Sequence, residues 1–261
     1  MSSVTKRISE IKQPRGGYIR PAQLSIRTID DQRILYEEEN VHASITGMVV
    51  DYLSRVMMGT DAMEVFRVSH EGAFIAEKMF KQKRALKTAK HLLSNIRGLD
   101  DKSISSACKL VTYDVWYRNP LAASMAKDID DINPDINTIK NVKIMVERSI
   151  LFWNEYGPIV RCGFTFEPNG YTKTVDSGDG DYLTSDGLWD LKVSKSKPTS
   201  KHTLQLLMYW IMGKHSGQKI YDNIQKLGIF NPRLNTVYTM DVRLIPQETI
   251  EEVEKNVICY K

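Results

Sequence analysis

Hydrophobic residues recur every three to four positions through much of the first half of the chain, and this period predicts a mostly helical region. Residues 1–35 instead alternate short apolar and polar runs around glycine and proline turn signals, so we expect an irregular arm there. An acidic segment broken by Pro134 is expected to connect this half to the next. The expected helices lie at about 41–58 and near 71–97, 102–117 and 120–128.

The second half opens with a helix and then changes period. An apolar stripe that includes Val142, Val146 and Trp153 predicts a long helix over about 137–155, stopped by Gly157-Pro158. Residues 161–175 read as two β-rich runs around a Pro-Asn-Gly turn. After them we expect a hairpin at 179–192, a helix at about 202–212, a β-rich segment at 226–242 with a turn at Asn231-Pro232, and a short amphipathic helix at 245–256.

This order of elements indicates an α/β protein. We expect a mostly helical N-terminal region over 1–130, which would supply substrate or partner contacts, and a compact α/β core over 131–261. The length of 261 residues suits one large domain or one domain with a helical annex.

Bulk composition narrows the class of protein only slightly. A net charge of +4 permits a nucleic-acid partner without requiring one. Cys108, Cys162 and Cys259 are far apart, so neither a disulfide framework nor a zinc or iron–sulfur site is indicated, and a reduced cytoplasmic setting is expected. The longest apolar run, Leu206 to Met212, is too short to cross a membrane.

The hairpin DGDYLTSDGLWDLK carries too many acids for a plain core strand. Alternation along its second strand puts Asp190 and Lys192 on one face and Trp189 on the other, which should be the core face. Two registers are open. A four-residue loop sets Asp181 opposite Asp190, whereas a two-residue Asp-Gly turn sets Asp181 opposite Lys192. In both, Asp181 joins the face of Asp190 and Lys192.

Two carboxylates this close repel each other, unless a divalent cation such as Mg²⁺ lies between them. A lysine beside the metal can orient or deprotonate a water, or neutralise charge on a phosphate. The alternative is a surface hairpin with solvated acids and an ordinary ion pair at Lys192. On the next helix, which is apolar almost all round, Gln205 and Tyr209 form an i, i+4 pair that either faces the carboxylates or is a satisfied core pair.

These motifs, in this order, resemble the PD-(D/E)XK nuclease superfamily, and most closely its RecB-type branch. The resemblance covers roughly residues 138–245 and implies a restriction-endonuclease-like core, in which a mixed sheet is flanked by helices. It implies that Asp181 and Asp190 are metal ligands, that Lys192 is the catalytic lysine, and that Gln205 and Tyr209 support the site and contact DNA.

The family also places a glutamate on the helix before the first strand. Glu147 is the leading candidate for this catalytic and metal-binding role, while Glu155 and Glu167 are alternatives. Gly180 stands where the motif often has proline, a departure that puts little in doubt. The four cysteines of the iron–sulfur cluster in some RecB-type relatives are absent, so that cofactor is not expected.

Two basic segments are candidates for phosphate contacts. Residues 78–97 contain seven lysines and arginines and no acid, and helical spacing puts Lys83, Lys87 and Lys90 on one face. A solvated face balanced by acids elsewhere explains that segment equally well. The loop after the proposed site carries Lys195 and Lys197, beside any phosphate bound at the aspartates.

These observations predict a magnesium- or manganese-dependent enzyme that hydrolyses DNA phosphodiester bonds. RNA stays open as a substrate, since no residue is identified that reads a 2′-hydroxyl. The alternative from a different class is a nuclease-like fold that binds DNA or a protein partner without cleaving.

Overall fold

A computed structural model describes residues 2–123 and 128–261 and divides the chain into two compact units. The first unit combines Met1–Ile29 with Phe152–Lys261, and the second is Asp30–Leu151. This division differs from the expected regions 1–130 and 131–261. The N-terminal arm groups with the second half of the chain, and the boundary falls within the long helix at 151/152.

The first unit is built on a six-stranded mixed sheet with the order β1-β6-β5-β4-β3-β2. Every neighbouring pair is antiparallel except β4 and β5, which are parallel. The strands are β1 Ser25–Thr28, β2 Arg161–Phe164, β3 Gly180–Leu183, β4 Gly187–Leu191, β5 Lys226–Asn231 and β6 Thr236–Asp241.

Eleven α-helices are present among the described residues. Together with the six-stranded sheet they make the chain an α/β protein, in which helices flank a mixed sheet. They are α1 Val4–Glu10, α2 Ala43–Met57, α3 Ala62–Val65, α4 Arg67–Phe80, α5 Ala85–Asn95, α6 Asp101–Leu110, α7 Asp114–Arg118, α8 Pro120–Ala123, α9 Ile136–Tyr156, α10 Ser200–His215 and α11 Gln247–Glu252. In the described part of the chain, no helix has the length and apolar character needed to span a bilayer.

Helix α10 provides the crossover that a parallel strand pair needs, because it leads from β4 back to the start of β5. It begins with reciprocal hydrogen bonds between Thr199 and His202. Its apolar residues are buried with Leu188 of β4 and Ile229 of β5 in one hydrophobic core.

The opposite face of the sheet is covered by the end of α9. Phe152 stacks on Phe230 at a ring-centroid distance of 4.1 Å and meets Trp189 edge-on at 5.1 Å. The indole of Trp189 lies over Gly228 of β5, where an added Cβ would come within 2.2 Å of the ring. The prediction that Trp189 faces a core is confirmed.

Two predictions about irregular and β-rich segments are wrong. The N-terminal arm contains helix α1 and strand β1. Strand β1 pairs with β6 and forms one edge of the sheet. The second β-rich run, residues 171–175, is not a strand. Its backbone closes a turn through the hydrogen bond from the Thr172 N–H to the Val175 carbonyl, and the Thr172 hydroxyl oxygen accepts from the N–H groups of Thr174 and Val175.

The second unit contains helices α2 to α8 and the first part of α9, as its helical period predicts. The expected helix at 71–97 is two helices, α4 and α5, joined by residues 81–84. Of the helix expected at 120–128, Pro120–Ala123 is helical, and residues 124–127 lie outside the described part of the chain.

Candidate active site

Strand pairing selects one of the two hairpin registers. Tyr182 pairs with Trp189 and Leu183 with Leu188, which is the register expected for a four-residue loop; Gly187 already belongs to β4, and its carbonyl accepts from the Thr184 N–H. The next positions outward from the loop are Asp181 on β3 and Asp190 on β4. The two carboxylates therefore leave adjacent strands at the same level of the sheet.

Asp181 is fixed by the backbone of the neighbouring strand. Its Oδ2 accepts a hydrogen bond of 2.7 Å from the Leu191 N–H. The side chain of Asp181 thus bridges β3 to β4 just beyond the last backbone pair between these strands. This contact orients the carboxylate while leaving the residue partly exposed to solvent.

Asp190 has a buried carboxyl group with only one oxygen satisfied among the described residues. The residue is 3% exposed, and its Oδ1 accepts a 2.9 Å hydrogen bond from Lys192 Nζ. Its Oδ2 is buried and has no hydrogen-bond partner among the described residues. Such an oxygen is costly in a folded protein, because nothing replaces the water it lost. A hard cation would satisfy it.

Lys192 completes the charged group on this face. Burial alone would lower the pKa of its ammonium, but the charges of Asp190 and Asp181 and the hydrogen bond to Asp190 raise the pKa above its ordinary value. Lys192 is therefore a cation at neutral pH. In this resting state it can donate hydrogen bonds and offset negative charge, whereas it cannot accept a proton.

Helix α10 brings the Gln205–Tyr209 pair toward the same carboxylates. Gln205 Nε2 donates to Tyr209 Oη at 2.8 Å. Burial raises the pKa of Tyr209, and Asp190, Asp181 and Asp179 raise it further against the opposing effect of Gln205. The phenol is thus a neutral group in the field of the three aspartates. The two side chains satisfy each other and Tyr209 belongs to the hydrophobic core, so the role of this pair at the site stays a prediction.

Gly180 serves packing at this hairpin. A Cβ at this position would lie 1.9 Å from the ring of Phe164 on β2. That ring also contacts Tyr209 edge-on at 5.9 Å. Glycine at 180 therefore lets Phe164 reach the helix that carries Tyr209, which explains why proline is absent there.

Two further side chains near the site have hydrogen-bond partners that the sequence does not predict. Asn231, at the end of β5, is buried and holds the segment after Lys192, since its Nδ2 donates to the Ser194 carbonyl at 2.8 Å. Its position directly before Pro232 is the only sequence signal, and it reads as an ordinary turn. Asn231 thus fixes the start of the lysine-bearing loop against β5.

The second is His202, which is the one histidine near the motifs; its sequence position suits either a binding role or, as the default, a surface residue at a helix start. Its Nδ1 accepts from the Thr199 N–H at 3.0 Å, so the neutral ring carries its proton on Nε2. Burial and the Lys192 charge lower the pKa of His202, against the opposing effect of Asp190. His202 is therefore a neutral Nε2–H donor in the field of Lys192 and Asp190.

The candidate glutamates have different surroundings. Glu147 belongs to the second unit and pairs with Arg33 at 2.5 Å, so its role as a metal ligand stays a prediction. Glu155 pairs with Arg27 on the edge strand β1, which two strands separate from β4. Glu167 is exposed, and its carbonyl accepts from Gln218.

The loop that follows Lys192 is basic and exposed. Lys195 and Lys197 present their side chains to solvent between β4 and α10, and Lys201 does so in the first turn of α10. The loop follows Lys192 and ends at Thr199, where α10 begins, so a contact of Lys195 and Lys197 with an anion at the aspartates stays a prediction.

Residues 2–123 and 128–261 contain no group of three or more His, Cys, Asp or Glu side chains placed to hold a metal ion together. The pair Asp181 and Asp190 fits a cation that takes only one or two protein carboxylates and completes its shell with water and substrate oxygens, as Mg²⁺ does. No family model, curated protein or solved structure matches this chain.

Proposed function

We propose that this protein is a metal-dependent nuclease with a PD-(D/E)XK-type core, which hydrolyses phosphodiester bonds in DNA. The observation that carries the proposal is the buried Oδ2 of Asp190, which has no hydrogen-bond partner among the described residues and lies on a carboxylate paired with Lys192. Asp181 on the adjacent strand adds a second carboxylate, and Mg²⁺ or Mn²⁺ fits this donor set.

Each residue has a distinct part in the proposed reaction. Asp190 and Asp181 would hold the metal, which when bound lowers the pKa of a water and offsets charge on the scissile phosphate. Lys192, a cation at rest, would donate to a phosphate oxygen and stabilise the charge that develops there. Gln205 would hold the Tyr209 phenol beside the carboxylates, and Lys195 and Lys197 would contact the backbone on either side.

One observation favours the alternative of a binding module that does not cleave. The absence of a three-ligand metal cluster among the described residues suits a site that holds DNA without activating water. The two functions differ in a simple assay, because only the nuclease converts supercoiled plasmid or shortens linear DNA when Mg²⁺ or Mn²⁺ is added.

The test compares Asp190→Ala and Lys192→Ala with the wild-type protein and with Asp186→Asn as a matched control. Asp186 lies in the loop of the same hairpin and is exposed, so its carboxylate is outside the site. We expect the two site variants to lose more than the roughly 10–100-fold typical of outer-shell residues. Asp186→Asn should stay within about threefold of wild type, as exposed substitutions usually do. Cleavage that survives both site substitutions would exclude this site.

A further inference from the structure

The helical hairpin formed by α4, residues 81–84 and α5 carries an unusual excess of positive charge. From Lys78 to Arg97 the sequence contains seven lysines and arginines and no acid. All seven are exposed, and none has a carboxylate within ion-pair distance in the described part of the chain. They are Lys78, Lys81, Lys83, Arg84, Lys87, Lys90 and Arg97.

This charge does not stabilise the hairpin. Lys87 and Lys90 are three positions apart on α5, and like charges at that spacing repel on a helix surface. Glu77 is the acid that precedes the segment. Its Oε2 accepts a hydrogen bond from the Leu86 N–H at the start of α5. Lys83 lines a cavity together with Asp128 and Asp130, and apart from these two acids the fold gives no reason for the excess of cations.

The loop between the helices adds an independent observation. Lys81 and Arg84 both adopt left-handed backbone conformations, with φ of 59° and 65°. Glycine adopts this conformation at lower cost and is the usual residue after a helix. Two long cations therefore stand in a four-residue loop where glycine would stabilise the fold, and strain of this kind is concentrated at functional sites.

We propose that this basic hairpin, residues 78–90, is a binding surface for the phosphate backbone of duplex DNA, separate from the residues of the β3–β4 hairpin. This inference rests on the proposed function in one respect, because that function is the reason to choose DNA rather than another polyanion. Exposed lysines and arginines bind phosphates without reading bases, so binding should be independent of sequence and sensitive to salt.

The test measures binding of a fluorescein-labelled duplex DNA to the full chain carrying Asp190→Asn, by anisotropy between about 50 and 200 mM salt. The hairpin variant is Lys83→Gln/Lys87→Gln/Lys90→Gln. The matched control, Lys12→Gln/Lys173→Gln/Lys255→Gln, removes three exposed lysines of the other unit and has the same net charge as the hairpin variant: +4 for the chain, plus one for Asp190→Asn, less three, or +2.

We expect the hairpin variant to lower the slope of log K against log salt by up to about three, roughly one for each lysine, and to weaken binding at least about tenfold at low salt. The control should change affinity by less than about threefold, since only its net charge differs. Equal effects of the two variants would overturn the proposal.

A second variant separates binding from folding. Lys81→Gly/Arg84→Gly removes two cations and relieves two left-handed residues, so it should raise the urea midpoint of unfolding while it weakens DNA binding. If Lys81 and Arg84 only supported the fold, the urea midpoint and the DNA affinity would change in the same direction. Unchanged DNA affinity in this variant would contradict the proposal.

Other outcomes keep the two proposals apart. Salt-sensitive DNA binding through the hairpin by a protein that never cleaves would leave this inference standing and remove the proposed function. Cleavage by a protein whose hairpin variants bind DNA like the control would do the reverse. Binding to vesicles with anionic lipid, lost in the hairpin variant and absent with DNA, would replace DNA by a membrane surface.

Discussion

Each unit buries one aspartate, and the two differ in how their oxygens are satisfied. In the second unit, Asp114 accepts from Tyr52 Oη at 2.6 Å and from the Ser69 hydroxyl, so both oxygens have neutral donors. In the first unit, Asp190 has a cation on one oxygen and no partner among the described residues on the other. A completed network holds a fold together, whereas an incomplete one leaves a place for a ligand.

The electrostatic surroundings sharpen this contrast. Burial raises the pKa of Asp114 in spite of its two hydroxyl donors. The ammonium of Lys192, by contrast, is held charged by Asp190 and Asp181. Burial alone therefore does not distinguish the two aspartates, whereas the unsatisfied oxygen and the nearby second carboxylate make Asp190 the candidate for a functional role.

Replacement of the two buried aspartates should produce the largest difference in the free energy of unfolding. Asp114→Ala leaves the Tyr52 and Ser69 hydroxyls buried without an acceptor, and we expect it to lower the free energy of unfolding by about 4 kcal/mol. Asp190→Asn should change it by no more than about 2 kcal/mol in metal-free buffer, because the amide oxygen still accepts from Lys192 and an unsatisfied NH2 only replaces an unsatisfied oxygen. Urea unfolding followed by circular dichroism measures both. A larger loss in Asp190→Asn would mean that Asp190 is mainly structural.

Removal of the cation should have the next largest effect. Lys192→Met leaves the Asp190 charge buried without its partner and should cost about 3 kcal/mol in metal-free buffer. The double variant Asp190→Asn/Lys192→Met should recover most of this loss, because no buried charge remains. The same urea experiment in EDTA measures the cycle, and additive losses in the double variant would show that the two residues are not coupled.

Metal should act on only one of the two aspartates. Saturating Mg²⁺ or Mn²⁺, at about 100 times the dissociation constant, stabilises a protein by about 2.7 kcal/mol. We expect a shift of this kind in the wild-type protein and in Asp114→Asn, and none in Asp190→Asn. Differential scanning fluorimetry of metal-free and Mg²⁺- or Mn²⁺-loaded samples makes the comparison. A shift retained in Asp190→Asn would place the metal elsewhere.

The pH dependence of stability should show the smallest difference. Because the pKa of Asp114 is raised in the folded protein, its stabilising contribution is fully present below its ordinary value of 3.8 and is lost as pH rises through the folded value. Asp114→Asn should therefore flatten the stability profile above about pH 4 by at most about 1.4 kcal/mol per pH unit. Urea titrations across this range compare the two proteins, and parallel profiles would contradict the assignment.

The sequence alone determined much of the hairpin. Strand alternation put Asp190 and Lys192 on one face and Trp189 on the other, because side chains along a strand alternate regardless of what packs around them. The apolar helix with its Gln205–Tyr209 pair was equally readable, because spacing of four residues fixes a shared helix face. The six-stranded sheet was predicted only as a mixed sheet flanked by helices.

Tertiary structure decided what depends on distant parts of the chain. The arm strand β1 exists because β6 offers an edge some 200 residues away in sequence, and local composition gives no sign of that pairing. Hairpin register, the unsatisfied oxygen of Asp190 and the partners of Glu147 and Glu155 likewise follow from contacts between separate segments. Sequence periodicity specifies which face a side chain takes, and only packing specifies what it meets there.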